Sequence, residues 1–367
     1  MNKYKQMNIN SIDSFFSSEE LFLIECLFRE NKSDFDIEDI DEKKLLTFAQ
    51  RNGLSQILYK NICSKKLSAS AQQILKKKYL FNLGKNASYQ LIAAELIKKL
   101  SEKNIQVIFL KGISLISEIY KDIGLRPMSD IDIMTTLSDF YVACKTIVPN
   151  VDKINFNDKT GHHFPCFNYY GFNIELHRTL FPTDVKYQIP LDEIWQETKK
   201  NDEFNALTIC PLHKIIYLLL HIYYTYRQGG LRLLWFYDIK TLLNYYGDAI
   251  TPENVEFTVK KWKIYKPVRK MLVFFTLIIP KNRLSIVLTK KEIKEAKKMI
   301  NMLRYSDSMK LEYSYGIAWE RFFYTKGLKN KWIFLKNKIN SKQKFSLKRL
   351  YHLILNTVRL LWRKTGK

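Results

Sequence analysis

Two aspartates, Asp130 and Asp132, stand two residues apart in the stretch SDIDIMT, with Ile131 and Ile133 at the alternate positions. In a β-strand, side chains at i and i+2 project from the same face. The alternation therefore predicts both carboxylates on one face and both isoleucines in the core. Two neighbouring carboxylates on a half-buried strand raise each other's pKa unless a cation neutralises them. The pair is a candidate site for a hard divalent cation.

A third carboxylate stands in the later stretch FNIELH, where Glu175 and His177 share a face by the same alternation. Mg²⁺ is typically held by one or two carboxylates and by substrate phosphates. Two such ions about 3.5–4 Å apart assist phosphoryl transfer at both the attacking and the leaving oxygen. We therefore predict that Asp130, Asp132 and Glu175 bind Mg²⁺ (or Mn²⁺). His177 is a candidate acid, base or substrate-orienting group, although packing alone is the commoner role for such a histidine.

A candidate anion-binding turn precedes the aspartates. Lys111 and Gly112 end an apolar stretch, and Ser114 opens the next helical one. Backbone N–H groups at a helix start favour phosphate, and Lys111 and Arg126 would add positive charge toward a triphosphate. The predicted nucleotide-binding residues are Lys111, Gly112, Ser114, Arg126 and His177. A DxD pattern alone is weak evidence, because capping and solvated aspartates often form one; the combination with the Lys-Gly turn and the ExH strand is stronger.

The elements that must position these residues follow from changes in hydrophobic period. A strand–helix–strand unit and then a hairpin around Gly171 are predicted between residues 101 and about 185, and Ser138 is predicted to cap the helix SDFYVACKTI. Helical patterns precede this unit, with Ser17 or Ser18 as the first N-cap and a break at Asn52-Gly53. Helical patterns also follow it, in the stretches LDEIWQETKK and PLHKIIYLLLHIYYTY. The fold class is therefore α+β, a small mixed sheet flanked by helical domains. The predicted divisions are an N-terminal helical domain (1–100), an α+β core (101–190), a helical domain (191–325) and a basic amphipathic C-terminal segment (326–367).

The formal net charge of +24 indicates a polyanionic partner, which includes nucleic acid, anionic lipid and nucleoside triphosphate. From Arg321 to the end of the sequence there is no Asp or Glu, and more than half of the excess charge lies there. The stretch 345–364 is amphipathic and basic. Three roles stay open for it: packing on the protein's own core, lying on an anionic membrane surface or binding nucleic acid.

Several classes are disfavoured. The first residues lack the apolar segment of a secretory signal, and the longest apolar stretches are too short to span a bilayer. The five cysteines are scattered without a CxxC pair, so neither a disulfide framework nor structural zinc is indicated. We expect a cytoplasmic protein, with peripheral contact at the inner face of the membrane as an extension. His162 and His163 are adjacent and would point to opposite faces of a strand, so a shared metal ion with Cys166 is disfavoured.

The stretch LKGISLISEIYKDIGLRPMSDIDIMT resembles the signature of an uncharacterised bacterial nucleotidyltransferase family, family 5 of the DNA polymerase β-like superfamily. The shared features are an LKG turn, a helix, G-x-R-P-M and a D-I-D strand, and the similarity covers most of residues 45–245. Two features depart from the wider superfamily: Ile113 replaces Gly or Ser, and the spacer before Asp130 is long. Five residues of the later helical region match the family: His221, Arg227, Arg232, Trp235 and Asp238. Two interpretations stay open for them. They line a substrate-binding cleft, or they are structural, with Trp235 in the core and Asp238 paired with a neighbouring basic residue.

The resemblance implies a palm-like nucleotidyltransferase core in which Asp130, Asp132 and Glu175 hold the metal. It implies Mg²⁺-dependent transfer of a nucleoside monophosphate from an NTP to an acceptor hydroxyl, on a saccharide, a lipid-linked molecule or a peptide. Two alternatives stay open. One is transfer to RNA, and the other is a non-catalytic nucleotide- or membrane-binding accessory protein.

Overall fold

Six short strands form one mixed sheet in the computed structural model, which describes residues 13–29, 40–148, 151 and 161–304. The strands are β1 (Ile108–Phe109), β2 (Ile131–Met134), β3 (Phe167–Tyr169), β4 (Phe172–His177), β5 (Thr198–Lys200) and β6 (Leu207–Ile209). They lie in the order β3-β4-β2-β1-β6-β5. Strand β1 is antiparallel to β2 and parallel to β6, and β2 is parallel to β4. The predicted α+β class with a mixed sheet is confirmed.

Helices precede, interrupt and follow the sheet. They are α1 (Ser18–Ile24) with a π-helical turn (Glu25–Arg29), α2 (Glu42–Arg51), α3 (Ser55–Lys60), a 3₁₀ turn (Ile62–Lys66), α4 (Ala69–Ser101), α5 (Lys111–Ile116), α6 (Phe140–Ile147), α7 (Leu191–Gln196), α8 (Pro211–Arg227), α9 (Leu233–Tyr246), a 3₁₀ turn (Gly247–Ala249), α10 (Pro252–Lys261) and α11 (Tyr265–Ile278). A further helical stretch, α12, covers 290–304. Among the described helices, none has the length and apolar character required to cross a membrane.

The local signals in the sequence explain several of these ends. Ser17 caps α1 in a reciprocal arrangement with Glu20, as the Ser-x-x-Glu pattern predicts. Helix α2 ends just before Asn52, and Gly53 follows with φ +72°, a left-handed conformation that favours glycine. Pro211 occupies the first turn of α8, where its missing N–H costs no hydrogen bond. These three predictions are confirmed.

The strand–helix–strand unit is present as β1, α5 and β2, and the predicted hairpin is β3–β4 with Gly171 at its turn (φ +89°). The predicted cap at Ser138 is wrong. The hydroxyl oxygen of Thr136 instead accepts the backbone N–H of Asp139, two residues earlier than a Ser138 cap would act. This hydrogen bond stabilises the turn between β2 and α6.

The sheet also contains strands that the hydrophobic pattern does not predict. The stretch LDEIWQETKK, predicted as one helix, is helical only to Gln196, and Thr198–Lys200 pairs with Leu207–Ile209 as β5 and β6. Three-residue strands carry too little alternation to be recognised. Sheet and helices share one continuous hydrophobic core, in which α8 is buried along most of its length. The four-part domain division stays a prediction, and residues 326–367 lie outside the described part of the chain.

Candidate active site

The register of β2 and β4 places the acidic residues side by side. The two strands run parallel, and Asp132 pairs with Glu175 while Met134 pairs with His177. Paired residues project from the same face of a sheet, so the side chains of Asp132, Glu175 and His177 converge. Their potential ligand atoms lie within 4.8 Å of one another. Asp130, just before β2, belongs to this face by alternation.

Two nitrogen atoms meet the same carboxylate oxygen at the centre of this group. The Nζ of Lys111 lies 2.6 Å from Oδ1 of Asp132, and Nε2 of His177 lies 2.9 Å from it. Both nitrogens also approach Oε2 of Glu175, at 3.5 Å for Lys111 and 3.4 Å for His177. Asp132 is 1% exposed, so these contacts supply the compensation that a buried carboxylate needs.

The backbone at Lys111 is part of this arrangement. Its φ is +44°, in the left-handed region, at the point where β1 ends and α5 begins. Such a conformation costs a non-glycine residue about 1–2 kcal/mol. The N–H of the preceding residue, Leu110, donates to the backbone oxygen of Asp132 at 3.0 Å, which fixes the two segments to each other. The turn therefore places the Lys111 side chain next to the carboxylates of Asp132 and Glu175.

The surroundings drive the pKa values of the two aspartates apart. Burial opposes ionisation of Asp132, but the Lys111 ammonium and the His177 ring hold its pKa well below the usual range. For Asp130, burial and then the charge of Asp132 raise the pKa to about 6. Burial also disfavours charge on Lys111, yet the neighbouring Asp132 raises its pKa. At neutral pH the site therefore holds ionised carboxylates in a poorly solvated place, an environment that attracts a divalent cation.

Helix α8 contributes a tyrosine and a histidine to the same place. The Tyr217 hydroxyl is buried without a hydrogen-bond partner. Burial raises its pKa; the charge of Lys111 opposes this rise and the charge of Asp132 adds to it. His221, one turn later, has its pKa lowered to about 3 by burial and then by the Lys111 charge, so its ring is neutral. His221 was a candidate from the sequence. Tyr217 was not, although its i,i+4 spacing from His221 is the signal that could have found it.

A family model described as "Uncharacterised nucleotidyltransferase" matches residues 38–279, which is well over half of the chain and includes every residue of the site. The chain belongs to this nucleotidyltransferase family. The resemblance drawn from the LKG turn and the D-I-D strand is thereby confirmed, as is the assignment to a transferase. Searches of curated proteins and of solved structures returned no match.

In this nucleotidyltransferase the long helix α4 holds the loop that leads into Asp130. The amide of Asn82 donates to the backbone oxygen of Gly124 at 2.8 Å. Asn86 donates to the backbone oxygens of Ile123 and Arg126 at 2.5 and 2.8 Å. Asn82 and Asn86 are four residues apart and so share a helix face. The GLRPM part of the family signature is therefore shaped by two asparagines outside it.

The nucleotidyltransferase's Lys-Gly turn is closely packed. A Cβ at Gly112 would lie 2.8 Å from both Nη1 of Arg126 and Sδ of Met128, so no larger residue fits there without movement. Ser114 is buried, and its hydroxyl lies 3.2 Å from that of Thr208 on β6, in a network with Lys214. Helix α5 has only six residues. Phosphate binding by Gly112 and Ser114 stays a prediction.

Arg126, also predicted to bind nucleotide, is 6% exposed and its guanidinium is bound to Asp238 on α9. Asp238 thus has a partner in the core, as one of the two interpretations of the sequence expected. The nucleotide-binding role of Arg126 stays a prediction. Two of the five predicted nucleotide-binding residues, Lys111 and His177, contact the carboxylate of Asp132.

The histidines that precede β3 lie next to this site. The ring of His162 lies 4.3 Å from that of His163 and 5.5 Å from that of His177, between centroids. The ring of His163 lies 5.2 Å from that of His177. The prediction that His162 and His163 point to opposite faces is therefore wrong, because the two residues precede β3 and are not part of a regular strand. Within the described residues, no group of potential metal ligands includes His162, His163 or Cys166.

Proposed function

We propose that this nucleotidyltransferase binds Mg²⁺ or Mn²⁺ through Asp130, Asp132 and Glu175 and transfers a nucleoside monophosphate from an NTP to an acceptor hydroxyl. The observation that carries the proposal is the direct pairing of Asp132 with Glu175 across two parallel strands. Two carboxylates in register on one sheet face, with a third at the start of the strand, form the oxygen-rich ligand set that these cations prefer.

The ligand chemistry fits a divalent cation. The carboxylates of Asp132 and Glu175 already share two positively polarised neighbours, Lys111 and His177. A site that draws the Lys111 ammonium and a ring nitrogen of His177 to both carboxylates in this way is electrostatically suited to a metal ion. When bound, a divalent cation would supply Lewis-acid polarisation of the phosphoryl group and stabilise the charge of the departing pyrophosphate.

The chain's own residues would bind and orient the reactants. Lys111 holds a positive charge beside the carboxylates, where the triphosphate of the NTP would bring negative charge. His177 fixes Asp132 through Nε2. The neutral ring of His221 and the unpartnered hydroxyl of Tyr217 offer hydrogen bonds to a substrate without adding charge.

For the acceptor, we propose a hydroxyl on a saccharide, a lipid-linked molecule or a peptide, as the family resemblance implies. The strongly basic composition supports an anionic group on at least one substrate. Peripheral membrane contact through residues 326–367 is part of the same proposal, because a lipid-linked acceptor would lie at that surface.

The decisive experiment measures pyrophosphate release from each NTP in the presence of a cell extract as the acceptor source. We expect release that stops with a chelator and returns with Mg²⁺ or Mn²⁺. Asp132→Asn and Glu175→Gln should each lower the rate by about a thousandfold, while Asp202→Asn, at an exposed residue, should not. Circular dichroism would verify that each variant is folded. Equal release by the wild type and a folded Asp130→Asn/Asp132→Asn variant would disprove the assignment.

A further inference from the structure

A second group of three potential metal ligands lies between α7 and β5 and between β6 and α8. Unlike the carboxylates predicted to bind Mg²⁺, this group includes sulfur and nitrogen. They are the carboxylate of Glu197, the thiol of Cys210 and the imidazole of His213. Their ligand atoms lie within 4.8 Å of one another. None of the three belongs to the group around Asp132.

The backbone topology explains why they meet. Strands β5 and β6 are antiparallel, and Thr198 pairs with Ile209. The next residues outward on the two strands, Glu197 and Cys210, therefore stand opposite each other. His213 lies three residues after Cys210, on the first turn of α8, and residues i and i+3 of a helix are neighbours.

The distances agree with coordination of one small ion. The Cys210 Sγ lies 3.5 Å from Oε2 of Glu197, and Nε2 of His213 lies 3.6 Å from the same oxygen. Tetrahedral bonds of about 2.3 Å to sulfur and about 2.1 Å to nitrogen or oxygen separate the ligand atoms by about 3.4–3.6 Å. The Glu197 oxygen thus already stands at ligand-to-ligand distance from both partners.

The residues around His213 hold its ring in place. The Trp262 ring packs against it with 4.7 Å between centroids, and Nε1 of Trp262 donates to Glu193 at 3.0 Å. The His213 side chain is buried, and its Nδ1 has no hydrogen-bond partner. Its Nε2 is the ring nitrogen that approaches Glu197, and a ring nitrogen of histidine is the commonest metal ligand in proteins.

We propose that Glu197, Cys210 and His213 form a zinc site with three protein ligands and one open position. A thiolate, an imidazole and a carboxylate are the donors that Zn²⁺ takes in proteins, whereas Mg²⁺ requires oxygen. One thiolate and one carboxylate balance the two charges of the ion. The site would clamp the start of α8, the helix that carries Tyr217 and His221 into the active site. Since Cys210 is a free thiol and zinc binds the thiolate, binding must release its proton.

Cobalt titration of the full-length, metal-free protein tests this proposal. A cobalt–thiolate bond gives a charge-transfer absorption band that carboxylate and imidazole ligands do not give. We expect the band to saturate at one Co²⁺ per chain, and we expect Zn²⁺ to abolish it by displacement. A cation bound at Asp132 and Glu175 would leave this band unchanged, so failure of the zinc site and failure of the catalytic metal site are distinguishable.

Three variants complete the test. Cys210→Ser should remove the band, whereas Cys166→Ser, at an exposed free cysteine, should keep it. Glu197→Gln should weaken Zn²⁺ binding by roughly tenfold or more without loss of folding, because its side chain is 58% exposed. A folded protein that gives no thiolate band, or a band lost in Cys166→Ser and kept in Cys210→Ser, would overturn the proposal.

Discussion

Arg126 and Asp238 form a buried salt bridge with two parallel hydrogen bonds. Nε donates to Oδ1 at 2.9 Å and Nη2 donates to Oδ2 at 2.8 Å. The Tyr120 hydroxyl donates to Oδ1 at 2.8 Å as well. The bridge ties the loop before Asp130 to helix α9, two segments that are far apart in the chain. The arginine of the GLRPM motif is thus a structural link, whatever further role it has toward nucleotide.

Arg126→Lys should therefore destabilise the protein, because a lysine cannot reproduce the planar two-point contact with Asp238. We expect the free energy of unfolding to fall by about 3 kcal/mol, as when a buried ion pair is broken. Urea denaturation would measure it, with Arg51→Lys at an exposed position as the control. Unchanged stability together with a raised KM for NTP would instead favour the nucleotide-binding role predicted from the sequence.

Asn86→Ala should weaken both the fold and the reaction. The substitution leaves the partly buried backbone oxygen of Ile123 and the buried one of Arg126 without the amide that now donates to them. We expect a loss of about 2 kcal/mol or more of unfolding free energy, and a roughly ten- to a hundredfold lower kcat from misplacement of Asp130. Ser88→Ala on the same helix, at a partly exposed residue, is the matched control. Full activity in a destabilised Asn86→Ala protein would show that the loop does not position Asp130.

Asp130→Asn should stabilise the metal-free protein while abolishing activity. Burial and the Asp132 charge raise the pKa of Asp130 from 3.8 to about 6. An acid whose pKa is raised in the folded state stabilises it most at low pH, and that contribution is lost as pH rises from about 4 to about 6. Asparagine carries no charge, so we expect a gain of up to about 3 kcal/mol at pH 7.5 and little change at pH 4.

The measurement for Asp130→Asn is urea denaturation at the two pH values with a chelator present. Asp202→Asn, at an exposed residue, should change stability at neither pH. If Asp130→Asn is less stable than the wild type at pH 7.5, the carboxylate is not strained by burial in the metal-free protein.

Alternation of residue type predicted the centre of the site, because the face of a strand is a purely local property. The grouping of Asp130 with Asp132 and of Glu175 with His177 came from i, i+2 spacing alone. The register that joins the two strands is not local. The direct opposition of Asp132 and Glu175 depends on a parallel crossover through α6 that no short stretch of sequence encodes.

Other features were missed for the same reason. Glu197 and Cys210 are brought together by a short edge hairpin, and cysteine spacing alone gave no indication of a metal site there. The partner of Arg126 is a residue on a later helix. Tyr217 looks like an ordinary core tyrosine until the fold places it near Lys111 and Asp132. Side-chain roles that depend on contacts between distant segments need the fold.

Lys111→Met should separate the two electrostatic roles of this lysine. Its Nζ lies 2.6 Å from Asp132 and 3.5 Å from Glu175, so it competes with any cation for these carboxylates. Removing the charge should strengthen Mg²⁺ binding in the absence of nucleotide by roughly tenfold, or about 1.4 kcal/mol. It should also raise the KM for NTP, since the triphosphate loses a cationic partner. Calorimetric titration of Mg²⁺ and steady-state kinetics measure the two effects, with the exposed Lys121→Met as the control. Weaker Mg²⁺ binding in a folded Lys111→Met protein would contradict this prediction. It would mean that the lysine organises the carboxylates and that the metal binds beside Lys111 without displacing it.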